Sequence, residues 1–249
     1  MWLGWRGKDS LDVSVARIAK SDIDRRDADR SAGRVIPKPQ DLALGEIKSF
    51  NLAILHIDID NYKPLVEKLE MAQASRLLSS FLTEMTYLVK DYEGDLESYS
   101  GDRVTALFGA GQEKTTAVSN CVNCALSMIT VVKYAISPFL NQKGLPSFRC
   151  AVGMDYGPTW VERIGIRNEN QLALIGPTVS IAAQLQELAK ANQILLGEDI
   201  YRGLSTNDQG LCSEMTATNW TWTRGEGQQK RPYRFYLFRA QWPNFPLAD

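Results

Sequence analysis

The sequence predicts an α+β fold, one sheet with helices against one of its faces. Three observations carry this. An apolar run of strand character, "FNLAILHID" at 50–58, leads into a long stretch with apolar residues at three- and four-residue spacing. Strand-like and helical runs then alternate, and hairpin signals occur among the longer crossovers. The sheet face without helices has to find cover or a ligand.

Residues 1–47 are rich in Asp and Arg, as in "SDIDRRDADRSAGR", with a short amphipathic helix expected around 11–20 and a break at "PKPQ". They read as a polar arm, either a disordered tail or a segment packing on a partner subunit, ahead of one domain at 48–249. Within that domain, 50–58 is the first strand, 63–93 reads as a helix, and "LESYSGDRVTALFG" at 96–109 as a hairpin. A helix at 115–136 follows, then a strand "FRCAVGMDYG" at 148–157 and a hairpin arm near "WVERIGI". Gly176 and Pro177 open a helix over 176–193, "ILLGEDIYRGL" follows it, and "RFYLFRA" closes the fold as a strand.

Composition narrows the functions. With 44% hydrophobic and 23% charged residues the chain has the make-up of a soluble globular protein, and a net charge of −1 without a basic face gives no reason to expect nucleic acid as a partner. The opening "MWLGWRGKDS" lacks a signal-peptide pattern, and no apolar run is expected to approach the roughly 18 to 20 residues that span a bilayer. A cytoplasmic address with no membrane contact is the expectation. Cys121 and Cys124 fall in a stretch that reads as a buried helix, so they are expected as free core thiols; a single histidine, His56, leaves no zinc set.

The chemistry lies in "HIDIDNYKPL" at 56–65. Strand alternation puts Phe50, Leu52, Ile54, His56 and Asp58 on one face and Ala53, Leu55, Ile57 and Ile59 on the other. Asp58 ends its face, and the hairpin tip Ser100-Gly101-Asp102 can bring Asp102 beside it. Two close carboxylates repel unless a cation lies between them, and oxygen ligands of this kind suit Mg²⁺ or Mn²⁺ carrying substrate phosphates. Asn61, Tyr62 and Lys63 begin the next helix, whose free N–H groups and lysine suit phosphate oxygens. Asp60 reads as that helix's N-cap.

These stretches, together with "LIGPTVSIAAQLQELAKANQILLGEDIY", resemble the class III nucleotidyl cyclase catalytic domain over about residues 48–239. The resemblance implies a ferredoxin-like βαββαβ core in a head-to-tail homodimer with active sites at the subunit boundary. It also implies two Mn²⁺ or Mg²⁺ ions at Asp58, Asp102 and the Ile59 carbonyl. One ion would activate the ribose 3′-hydroxyl and the other would hold the phosphates, and pyrophosphate would leave.

Departures from the family pattern are informative. Ser98 stands where purine cyclases carry a base-reading Lys, and Ala173 where they carry Asp or Thr, so a purine loses its usual partners. Ser180 takes the place of the ribose-orienting Asn and Gln184 that of the transition-state Arg. Arg103 is a candidate replacement cation, along with Arg163, Arg167, Lys230 and Arg231. The combination resembles the Pycsar pyrimidine cyclases of bacterial anti-phage defence, which implies UTP or CTP as substrate and a separate effector protein sensing the product. Phe50 is the candidate aromatic wall for a small base. Two other readings remain. One is a catalytically silent nucleotide-binding or dimerisation module; the other is a GGDEF-type diguanylate cyclase, whose metal-binding strand "DIDNYK" imitates.

Overall fold

Side-chain alternation along one long strand sets the architecture. In β1 (Ile47–Ile59), Ala53, Leu55, Ile57 and Ile59 point into the main apolar core, while Leu52 and Ile54 join a second cluster on the opposite face. The computed structural model describes residues 8–21, 42–225 and 230–242. Around β1 lie α1 (Lys8–Ser21), α2 (Tyr62–Val66), α3 (Met71–Asp91), β2 (Asp95–Ser100), β3 (Arg103–Phe108) and α4 (Lys114–Val131). A π-turn at Val132–Ile136 carries α4 into α5 (Ser137–Gln142). Then follow β4 (Cys150–Ile166), β5 (Glu169–Ile175), α6 (Pro177–Leu188), β6 (Ile194–Gly197), α7 (Glu198–Gly203) and α8 (Thr206–Gln209). The last strands are β7 (Cys212–Met215), β8 (Thr223–Arg224), β9 (Arg231–Pro232) and β10 (Phe235–Phe238).

The main sheet has the order β2-β3-β1-β4-β6-β10-β7, with β5 paired to β4 and β8-β9 separate. β1 is antiparallel to β3 and β4, and β4 runs parallel to β6. β1, β2, β3 and β4 with their two crossover helices α3 and α4 therefore form the ferredoxin-like βαββαβ arrangement. One face is buried by α3 and α4, through residues such as Leu77, Phe81, Val122 and Met128, and Cys121, Cys124 and Cys150 are buried free thiols there.

α1 forms over the span expected to be helical, and it packs on the chain's own core. Leu11 and Ile18 are buried in the main cluster, and Arg17 reaches α3 at Glu84 (2.8 Å) and Asp91 (3.3 Å). The break expected at "PKPQ" lies outside the described residues.

Several expectations need correction. The helix read across 63–93 is interrupted between Val66 and Met71, because Glu70 starts a new helix with a reciprocal capping box in which its N–H donates to the Gln73 side chain at 3.0 Å. The strand at 148–157 and the arm near "WVERIGI" are one strand, β4, and the true hairpin partner is β5, reached through a turn with Asn168 at φ 72°. The helix Lys114–Gln142 does reach membrane-spanning length and apolarity, but 78% of its most apolar window is buried inside the fold, which makes it a core helix.

The sheet's second face is covered by α6. Gly153 and Gly157 of β4 supply the flat floor: a Cβ at Gly153 would stand 2.0 Å from the Gln186 nitrogen, and one at Gly157 would stand 2.7 Å from Thr178 Oγ1. The helix backbone can therefore lie directly on the strand. Thr178, Ile181, Ala182, Leu185 and Gln186 form its buried stripe, at helical spacing.

Candidate active site

Register builds the site. β1 and β3 pair Ile57 with Val104, so Arg103 falls opposite Asp58 and the turn residue Asp102 opposite Ile59. The β2–β3 turn is a two-residue loop with Gly101 at φ 64°, the first central position where a tight hairpin favours glycine. Asp102 thereby reaches back to the end of β1 and accepts a hydrogen bond from the Ile59 N–H at 3.0 Å. Asp102 therefore lies against the residue that follows Asp58, close enough for its charge to act on the Asp58 carboxyl.

Burial raises the Asp58 carboxyl above its ordinary range, with Arg103 opposing and the nearby Asp102 charge adding to the rise. Burial likewise raises Asp102, against backbone donors at Asp102 itself and Ile59. An Arg103 Nη donates to Asp58 Oδ2 at 3.1 Å and to Gln186 Oε1 at 2.5 Å, while the Gln186 side-chain amide donates to Asp58 Oδ1. Asp58, Arg103 and Gln186 thus close a ring spanning β1, β3 and α6. Burial and the Arg103 charge lower His56, one same-face step back, to a pKa of about 4, against a smaller opposing effect of the Val179 backbone. Its ring is therefore neutral near pH 7, with Nδ1 3.0 Å from Thr105 Oγ1.

β1 ends in a left-handed turn. Asn61 takes φ 54° and its side chain donates to Asp60 Oδ2 at 3.0 Å. Asn61, and not Asp60, is the residue capping α2, and no side-chain cap bond forms. Tyr62 is half-buried, and desolvation together with the Asp102 charge raises its phenol. Lys63 is exposed, 4.0 Å from Glu67. A cleft of about 420 Å³ opens next to this turn, with Asn61, Lys68, Phe148 and Arg149 in its lining.

Other expected site residues lie apart from Asp58 within this chain. Ser98 is half-buried at a bulge of β2 and pairs with Thr105, which pairs in turn with His56, so it belongs to the same row across the sheet. Ala173 sits on β5 opposite Glu162. Phe50, the candidate aromatic wall, is four same-face positions back along β1 from Asp58 and lies partly buried against the α6-side cluster of Leu52, Ile54 and Leu107. Ser180 is on the exposed side of α6. Gln184 is held away by Trp222, whose Nε1 donates to it at 2.6 Å, and by the Asn219 carbonyl at 3.2 Å. Among the candidate cations, Arg103 is the one bonded to Asp58; Arg163 binds Asn170 and the Leu42 carbonyl, and Arg231 binds Glu198.

Sequence reasoning missed Gln186. Its signal was available: a glutamine at a core-facing position of α6, four residues after Ala182, is a buried polar group that needs partners. It also missed buried Asp155, which accepts from the Tyr233 hydroxyl at 2.8 Å, with Asp199 and Arg224 alongside. No sequence spacing links those positions.

A ferredoxin-like sheet with paired acids at a strand end and a facing helix opened by Gly176 defines a nucleotidyl cyclase type of domain. The chain matches the adenylate and guanylate cyclase catalytic domain over residues 47–237, and it belongs to that family. It is 30% identical to a uridylate cyclase of Burkholderia cepacia over 68% of this chain and 74% of that one. It is 29% identical to a uridylate cyclase of Rhodovulum sp. (strain MB263), over 72% of this chain and 74% of that one. The fold is similar to that of the adenylyl cyclase CyaB from P. aeruginosa, with a TM-score of 0.66 at 20% identity over 78% of this chain and 95% of that one.

Proposed function

We propose that the chain is a pyrimidine nucleotide cyclase that converts UTP, or less readily CTP, into the 3′,5′-cyclic mononucleotide and pyrophosphate. The observation that carries this reading is the convergence of Asp58 and Asp102 at the end of β1, with an arginine already drawn to them. A positive side chain at Asp58 marks the place as one that takes a cation, and an all-oxygen donor set of two carboxylates and the Ile59 carbonyl fits Mn²⁺ or Mg²⁺. Two such ions would supply Lewis-acid activation of the 3′-hydroxyl and neutralise the phosphates.

The chain's own residues do the rest. Asp58 and Asp102 hold the charge of the site, and Arg103 can donate to phosphate oxygens as negative charge develops, the task Gln184 cannot perform. The 3′-hydroxyl gives up its proton to solvent and its oxygen bonds to the α-phosphorus, while the bond from that phosphorus to the α–β bridging oxygen breaks and pyrophosphate departs with that oxygen. Ser98 and Ala173 withdraw the partners a purine edge requires. Uracil is favoured over cytosine because relatives at 30% and 29% identity are uridylate cyclases.

Ser180 and Gln184 face away from their own Asp58, which supports a head-to-tail homodimer in which they serve the other copy's site. Exposed Trp160, Ile164 and Ile166 on the β4–β5 hairpin support the same arrangement, since such apolar surface favours a partner. In this reading the enzyme acts in the cytoplasm, in bacterial anti-phage defence, and a separate effector protein senses the cyclic nucleotide.

Incubation with Mn²⁺ and each of the four nucleoside triphosphates tests the proposal. Cyclic UMP or cyclic CMP as the main product supports it, and equal use of all four removes the argument from Ser98 and Ala173. One observation favours a silent nucleotide-binding module instead: Gln184 is tied to Trp222 and Asn219. Bound nucleotide without any product would select that reading.

A further inference from the structure

We infer that Gln186 is a positioning residue of the active site, which orients the Asp58 carboxylate and holds Arg103 beside it. The inference rests on the reading of Asp58 and Asp102 as cation ligands. Gln186 is 4% exposed, so its amide has to find partners inside the protein. It finds both in the site: its nitrogen donates to Asp58 Oδ1, and its oxygen accepts from Arg103 at 2.5 Å.

An amide alone among side chains of this length offers a donor and an acceptor at once, so one residue can satisfy an acid and a base together. Leucine would leave Asp58 one donor short and Arg103 with Asp58 as its remaining acceptor among these bonds. Glutamate would keep the bond to Arg103 and set a second negative charge against Asp58.

The position is enforced from below. Gly153 pairs with His56 in the β1–β4 register and lacks the Cβ that would strike the Gln186 backbone. The Gln186 side chain therefore starts over β4 and crosses toward β1, on the face that carries Asp58. Ser180 and Gln184 leave α6 on other sides, so Gln186 is the residue by which this helix serves its own chain's site.

Two consequences separate this role from simple packing. A hydrogen bond that fixes a ligating carboxylate raises metal affinity, and loss of such an outer partner typically weakens binding by about 10- to 100-fold. Arg103 shares Asp58 with any incoming cation, so the guanidinium competes with it until phosphates arrive to receive the arginine. Because Gln186 and Arg103 touch each other and the same carboxylate, their effects are coupled.

Nucleotide-free Mn²⁺ affinity, measured by electron paramagnetic resonance alongside thermal melting, tests this. Gln186→Leu is expected to weaken Mn²⁺ binding about tenfold, Arg103→Met to strengthen it severalfold, and the double variant to depart from the product of the two effects. Gln186→Met serves the same purpose should the leucine variant fold poorly. Unchanged affinity in a folded Gln186 variant, or strict multiplicativity in the double variant, overturns the role of Gln186. When Asp58→Ala still abolishes Mn²⁺ binding in that case, the metal reading stands by itself. Mn²⁺ binding indifferent to Asp58→Ala overturns both.

Discussion

Gly153→Ala is the substitution whose consequence is most closely fixed by geometry. An added Cβ would stand 2.0 Å from the Gln186 nitrogen, 2.5 Å from the Ala182 carbonyl oxygen and 2.6 Å from the Gln186 Cα, all backbone atoms of α6. Ordinary contact begins near 3.4 Å, so the helix has to withdraw by about 1.4 Å at that turn. No rotamer change relieves a clash with backbone. The cost should reach the upper end of the overpacking range, about 3 kcal/mol, which for a domain of this size lowers the melting temperature by roughly 6–12 °C. Withdrawal also lifts Gln186 from Asp58. Gly157→Ala is the internal control, because its Cβ meets the Thr178 hydroxyl at 2.7 Å, the end of a side chain that can rotate, and about 1 kcal/mol suffices. Thermal melting followed by circular dichroism reads both. Equal melting temperatures for the two variants would refute the packing of α6 against β4 described above.

Three further outcomes follow from other parts of the fold. Burial, opposed by the Tyr233 hydroxyl, lifts Asp155 to a pKa of about 8. A carboxyl raised on folding contributes stability that is complete below its ordinary pKa near 4 and is lost as pH climbs through about 8. On the order of 5 kcal/mol is at stake across that window. Asp155→Asn should flatten the decline in melting temperature between pH 5 and pH 9, and an unaltered pH profile would contradict the assignment. Ile18→Ala, at a site 2% exposed, should cost at least 2 kcal/mol in denaturant unfolding, whereas a peripheral helix would show no loss. In triphosphate competition assays, UTP or CTP should outcompete ATP by at least tenfold, roughly 1.4 kcal/mol of discrimination, and parity would remove the role given to Ser98 and Ala173.

Much of this was legible in the sequence because it depends on short-range periodicity. The two-residue alternation of 50–58 placed Asp58 on the same face as His56 and opposite Ile57 and Ile59, and the Ser100-Gly101-Asp102 tip brought the second acid back to it. The order of elements carried the α+β class, and the βαββαβ core came from the resemblance to the class III cyclase domain. What stayed hidden depends on contacts between distant segments. The union of 148–157 and 160–166 into one strand is decided by pairing with β1 along its full length, a long-range contact that local periodicity does not report. Coverage of the second face by α6 depends on two glycines of β4 that a sequence pattern does not distinguish from turn glycines. Phe50 shares a face with Asp58, but strand direction carries it to the other end of the sheet. Gln186 looked like one more polar residue of a helix until its buried position was known.

The account turns on Asp58 and Asp102 acting together on one bound cation and its triphosphate. The most direct measurement is Mn²⁺-dependent pyrophosphate release from UTP and CTP by the wild-type chain, Asp58→Ala and Asp102→Ala, at matched melting temperatures. The account predicts turnover in the wild type and its loss in both variants. Undiminished release in either variant would contradict it.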